Sequence, residues 1–115
     1  MKNTKKPAPS SVHHLDDTTF DGEIVDVEGT ALVTFSAAWC GPCKVLAPIV
    51  EEVAAEIDEV FFAHVDVDDS PRTAARYGIE AMPTIVVFVD GEPMVRQTGV
   101  VDRKRLLDLL LTATD

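Results

Sequence analysis

The chain has 115 residues, a length that suits one compact domain, and at 46% hydrophobic and 26% charged it has an ordinary globular composition. Lys and Arg number 10 against 20 Asp and Glu, and the net charge of -10 has the wrong sign for nucleic acid or an anionic membrane as a partner. No run approaches the roughly 18 apolar residues of a membrane span, and a domain of this size buries a core without covalent staples.

The opening residues, MKNTKKPAPSSV, carry Lys2, Lys5 and Lys6 with no apolar stretch behind them, so they do not read as a secretory signal. Pro7, Pro9, Ser10 and Ser11 mark residues 1–11 as a flexible tail, with the domain over 12–115. The expected location is therefore a reducing cytoplasm. Val12 to Leu15 predicts a short strand. Phe20, Ile24 and Val27 follow cap-type residues at near-helical spacing and predict a short first helix, broken at Glu28-Gly29-Thr30. Ala31 to Ala37, ALVTFSA, is apolar and β-branched, the pattern of a strand buried on both faces.

A long helix is expected from about Cys40 to Ile57. Val45, Leu46, Ile49, Val50, Val53, Ala54 and Ile57 recur at three and four, and Pro48 should kink it. Glu59 to Asp68 predicts a second buried strand. A short helix follows with clear punctuation: Ser70 as N-cap, Pro71 at the first helical position, Gly78 at the end. Pro83 to Val89 predicts another strand, Asp90-Gly91 a hairpin turn, and EPMVRQTG its partner strand. Asp102 caps a last amphipathic helix through Leu106, Leu107, Leu110 and Leu111. The order βαβαβαββα implies parallel strands joined through helices plus one antiparallel hairpin strand, an α/β fold.

Cys40 and Cys43 are the only cysteines. Two thiols at this spacing could be a staple, half of a metal site or a redox pair. A staple closing so small a loop would restrain the unfolded chain little. A structural zinc usually needs four ligands, and no second Cys pair exists. His13 and His14 are neighbours on a strand and point to opposite faces, which leaves zinc only to a site shared between two chains. The redox pair fits the location. Cys40 falls where a buried strand meets the first turn of a helix, where free N–H groups and the helix dipole stabilise a thiolate. That thiolate would attack a substrate disulfide. Cys43, a turn deeper and expected to be the more buried, would resolve the mixed disulfide, with Gly41 and Pro42 as a stiff bridge between them.

WCGPCK, from Trp39 to Lys44, resembles the active-site signature of the thioredoxin family. MPT at Met82 to Thr84, DVDDSP at Asp66 to Pro71, YGI at Tyr77 to Ile79, DGE at Asp90 to Glu92, Pro48 and Gly99 resemble it at the matching places, so the likeness covers roughly Val12 to the C-terminus. It implies the thioredoxin fold, a central mixed β-sheet flanked by helices. It also implies reduction of disulfides in other proteins through the redox-active disulfide Cys40–Cys43, with no bound cofactor. A cis peptide at Pro83 is implied, with the Met82 backbone pairing with an extended substrate segment as an added strand. Trp39, Gly41, Met82, Gly99 and Val100 would form the contact surface. Electrons would come from a thioredoxin reductase using flavin and NADPH. A small acidic surface without an apolar stripe suits a monomer. Two rival readings are a thioredoxin-like oxidase or isomerase, and a non-enzymatic subunit that uses the fold as a clamp.

Two departures from the family pattern, Thr34 and His64, carry the most interest, and Ser36 is a smaller one. Thioredoxins commonly carry a buried Asp where this chain has Thr34, and often a Lys where it has His64. Thr34 has no pKa in range and cannot act as a base. The exchange reads as a quieter core, as a proton relay passed to His64 or to a water held by Thr34, or as a narrower role for the protein. Ser36, where many relatives have an aromatic residue, reads as a packing difference. Lys44 adds positive potential beside Cys43 or is a solvated helix residue.

Overall fold

The structure is a computed structural model that describes residues 11–115, so all of the expected tail except Ser11 lies outside the described residues. Its sheet has five strands: β1 (Val12–Leu15), β2 (Thr30–Ser36), β3 (Val60–Asp66), β4 (Thr84–Val89) and β5 (Glu92–Thr98). They lie in the order β1-β3-β2-β4-β5. β3 runs parallel to both β1 and β2, whereas β4 is antiparallel to β2 and β5 to β4. Among the described residues three α-helices accompany them: α1 (Gly41–Glu56), α2 (Pro71–Arg76) and α3 (Arg103–Thr114). The sheet is mixed α/β, as expected, but the strand directions are corrected: β4, although it follows α2, is the one that runs against the others, and the hairpin strand β5 runs in the direction of β1, β2 and β3.

β2 lies at the centre, and Ala31 through Ser36 are all buried. Its alternation sorts the core into two layers. Leu32 joins Leu46, Val50, Ile85, Leu106 and Leu109 on the face covered by α1 and α3. Val33 and Phe35 join Phe20, Ile24, Val86 and Phe88 on the other face. There Tyr77 sits among three phenylalanines, with ring centroids 5.3–6.3 Å away. The Asp90-Gly91 turn takes positive φ at both residues, 52° and 84°, which suits a two-residue hairpin. A Cβ on Gly91 would run into the Val25 carbonyl oxygen.

Three local expectations are corrected. The first helix is one wide turn, Asp21–Val25, closed by Asp26 N–H donating to the Asp21 carbonyl at 2.9 Å. Phe20 and Ile24 are buried, but the turn ends before Val27, which is exposed. Ser70 does not cap α2 with its side chain, and its buried hydroxyl has no partner. Asp17 caps α2 from across the chain instead, accepting from Thr73 N at 2.8 Å and Arg72 N at 3.2 Å. On α3 the buried face is Leu106, Leu109, Leu110 and Ala113, and Leu111 is 68% exposed. The apolar run Leu109–Leu111 hides which residue turns outward, and the helical spacing from Leu106 decides it. The expected caps at Pro71, Gly78 and Asp102 hold. Gly78 has φ 64°, and Asp102 Oδ1 accepts from Arg105 N at 2.9 Å.

Candidate active site

β2 ends at Ser36 and α1 begins at Gly41, so Cys40 stands at the N-cap of α1 in an extended conformation. Its Sγ accepts from the Cys43 backbone N–H at 3.2 Å. That is a helix N-terminal donor directed at the sulfur, the arrangement that stabilises a thiolate. Cys40 and Cys43 are joined as a disulfide, with Cα atoms 5.3 Å apart. Ala37 and Met82 pack against the pair.

The loop before β4 closes over the sulfurs. Its Met82–Pro83 peptide is cis, as the resemblance implies. Cys40 Sγ lies 3.6 Å from the Met82 carbonyl oxygen, and Gly99 N donates to the Pro83 carbonyl at 2.8 Å. Thr84 Oγ1 donates to the Ala81 carbonyl at 2.6 Å and ties the loop to the start of β4. The fold thus brings Cys40, Cys43, Met82, Pro83 and Gly99 together. Trp39 is 67% exposed beside Cys40, its indole N–H donating to Asp68 Oδ2 at 2.9 Å. Gly41 and Val100 are exposed as well.

The expectation that Cys43 is the more buried thiol is corrected. Both are buried, Cys40 at 4% and Cys43 at 8% exposure. The Met82 loop covers Cys40, a tertiary contact that helix position alone does not reveal. What separates the two is what they face. Cys40 faces the Met82 loop, while Cys43 borders an internal cavity of about 30 Å³ shared with Thr34, Ser36, His64 and Pro83. Ser36 Oγ is hydrogen-bonded to His64 Nε2, and His64 Nδ1 lies 3.3 Å from His14 Nδ1. Burial, then the neighbouring His14, push the His64 pKa below its ordinary value, against the opposing pull of Asp66. Among the described residues no group of three or more His, Cys, Asp or Glu is placed to hold a metal ion, and no helix is long and apolar enough to cross a membrane.

Comparison with known proteins agrees with this geometry. The family model described as Thioredoxin matches residues 11–112. The chain belongs to the thioredoxin family. It is 43% identical over 82 residues to a thioredoxin of Chlamydia trachomatis, covering 71% of this chain and 80% of that protein. It is 42% identical over 95 residues to a thioredoxin of Staphylococcus epidermidis, covering 82% and 89%. With a thioredoxin of Rickettsia typhi it shares 37% identity over 98 residues, covering 84% and 93%. As a thioredoxin-family protein it is a thiol–disulfide oxidoreductase acting on protein disulfides, and its redox group is its own Cys40–Cys43 pair.

In this thioredoxin-family chain the two departures are neighbours: Thr34 and His64 are register partners on β2 and β3. The ring of His64 nevertheless bonds Ser36, not Thr34. Ser36 is therefore more than a packing difference. Its signal was in the sequence, since it stands two residues after Thr34 and so on the same face of β2. His14 was missed for a different reason. Only the β1–β3 register, which pairs His14 with His64, brings it to the site.

Proposed function

We propose that this protein reduces disulfides of other proteins, with Cys40 as the attacking thiol and Cys43 as the resolving one. The observation that carries the assignment is the N-cap geometry: the Cys43 N–H is directed at Cys40 Sγ. A Cys40 thiolate attacks one sulfur of the substrate disulfide and expels the other as a thiolate, which takes a proton from solvent. Cys43 then gives up its proton and attacks Cys40 Sγ. The Cys40–Cys43 bond forms, and the second substrate sulfur leaves. Two thiols are oxidised and one substrate disulfide is reduced.

Trp39, Gly41, Met82, Gly99 and Val100 form the contact surface, with an extended substrate segment laid along the Met82 backbone. Pro42 limits the freedom of the bridge between the thiols, and Pro83 holds the facing loop. The active domain runs from residue 12 to the C-terminus. The protein works as a monomer in a reducing cytoplasm, in electron transfer from a flavin- and NADPH-dependent reductase to protein substrates. The net charge of -10 supports solubility and argues against nucleic acid and anionic membranes as partners.

Trapping tests the roles. A Cys43→Ser variant should accumulate a stable mixed disulfide with a disulfide-bearing protein, and Cys40→Ser should accumulate none, as read by mass spectrometry. Equal trapping by Cys40→Ser would overturn the assignment.

A further inference from the structure

Cys43 must lose a proton before its sulfur can attack Cys40, and it faces inward. The cavity of about 30 Å³ that it borders has room for one water. From that cavity a line of polar groups leads out of the protein. Ser36 lines the cavity and its Oγ is bonded to His64 Nε2, and His64 Nδ1 meets His14 Nδ1 at 3.3 Å. His14 lies on the edge strand β1 and is exposed. Parallel register holds the line in place, because His14 and His64 are partners across β1 and β3. A second cavity, of about 110 Å³, touches His14, Thr34, His64 and Glu51. On the outer side an open pocket gathers Asp16, Asp66 and Asp69 around His14 and His64.

The geometry points to a proton wire from Cys43 through Ser36 and His64 to His14, which serves the resolving half of the exchange. It rests on the assignment of Cys43 as the resolving thiol. The proton of Cys43 crosses the cavity to Ser36 Oγ, and Ser36 passes its own hydroxyl proton to His64 Nε2. His64 releases the proton on Nδ1 to His14 Nδ1, and His14 sheds a proton from its exposed ring to solvent. The Cys43 thiolate then forms the bond to Cys40 Sγ. The bond from Cys40 to the substrate sulfur breaks, and that sulfur leaves with the electron pair and is protonated by solvent. One proton leaves at His14 and one is taken up by the product, and the only oxidant is the substrate disulfide.

The charged and titratable groups that face His64 are Cys43 and Glu51 from α1, His14 from β1, Asp66 on β3 itself, and Asp16 and Asp69 at the pocket mouth. Burial and His14 outweigh Asp66 and hold the His64 pKa below its ordinary value, which favours the neutral ring with one nitrogen free to accept a proton. In the wire the neutral ring carries its proton on Nδ1, the tautomer that accepts from Ser36 at Nε2 and donates to His14.

Stopped-flow reaction of the reduced full chain with excess dithiobis-nitrobenzoate, whose released thiolate absorbs in the visible, separates the two half-steps. A concentration-dependent first release reports attack by Cys40. A concentration-independent second release reports resolution by Cys43. Ser36→Ala and His64→Gln should each slow the second release relative to the first by about 10-fold or more at pH 7. The double variant should be no slower than the slower single, because the two groups act in series. Their difference from the unaltered protein should shrink as pH rises, because hydroxide then takes the Cys43 proton without the relay. A purely structural role would slow the step at every pH. His14→Asn, on the exposed edge, should slow the second release several-fold and decides the matter should the buried variants not fold. A second release unchanged in the folded variants, or a slowing that persists at high pH, overturns the wire. Absence of the first release in the unaltered protein would overturn the reading on which the wire rests, and the wire with it.

Discussion

Thr34→Asp places a carboxyl where most relatives are expected to have one, but without their partner. Thr34 is 6% exposed and its register partner is His64, whose pKa burial pushes below its ordinary value. Among the described residues, no Lys or Arg lines either cavity that Thr34 borders. Burial disfavours the charged form and raises the pKa of such a carboxyl by up to about 3 units. At about 1.4 kcal/mol per unit, ionising it at pH 7 costs roughly 4 kcal/mol, and less if His64 takes up a proton to pair with it. The folded pKa is raised above the unfolded one near 4, so the penalty is absent below about pH 4 and complete once pH exceeds the folded value. The melting temperature should therefore drop by roughly 10–15 °C at pH 7 and by little at pH 4, followed by far-ultraviolet circular dichroism. The introduced carboxyl is also a base beside Cys43 and should speed the resolving step. An equal melting temperature at pH 7, or the same drop at both pH values, would refute the electrostatic reasoning. An unchanged resolution rate at pH 7 would refute the catalytic half.

Two further outcomes follow from packing and capping. Phe20 is 1% exposed among Phe35, Tyr77 and Phe88, so Phe20→Ala should cost about 3–5 kcal/mol in denaturant unfolding. Asp17 caps α2 from a distant segment. Desolvation opposes its ionisation, but hydrogen bonds from Thr73 and Arg72 outweigh it and hold its pKa below the ordinary value. Asp17→Ala should lower the melting temperature at pH 7. Because a depressed carboxylate stabilises only above its unfolded pKa, that difference should shrink as pH falls below about 4.

Much of the fold was legible because strong local signals agree with the tertiary outcome. ALVTFSA is apolar on one phase, and Leu32, Thr34 and Ser36 on the other carry no charge, the pattern of a central strand buried on both faces. Asp90-Gly91 and Asp102 act through their own backbone neighbours, so neither needs a distant partner to be read. The errors fall where distant segments decide. Ser70 has the chemistry of a cap, yet Asp17 fills that role from 56 residues away in sequence from Thr73. The relative exposure of Cys40 depends on the Met82 loop, which folds back over it. At the site, the redox pair was legible from two cysteines at a strand-to-helix junction. The His64–Ser36–His14 line was not, because it is assembled across three strands whose register becomes visible only in the folded sheet.

Cys40 and Cys43 should cycle between dithiol and disulfide at a reducing potential. Trp39 is adjacent to Cys40 and is the only tryptophan, so its fluorescence should differ between the two states. An equilibrium titration in glutathione and then dithiothreitol buffers measures the midpoint. One two-electron transition is expected, seen with dithiothreitol while the pair stays oxidised in glutathione, and absent from Cys43→Ser. A transition completed in mildly reducing glutathione would contradict a reductase and point to an oxidase or isomerase, and no transition at all would contradict the redox pair itself.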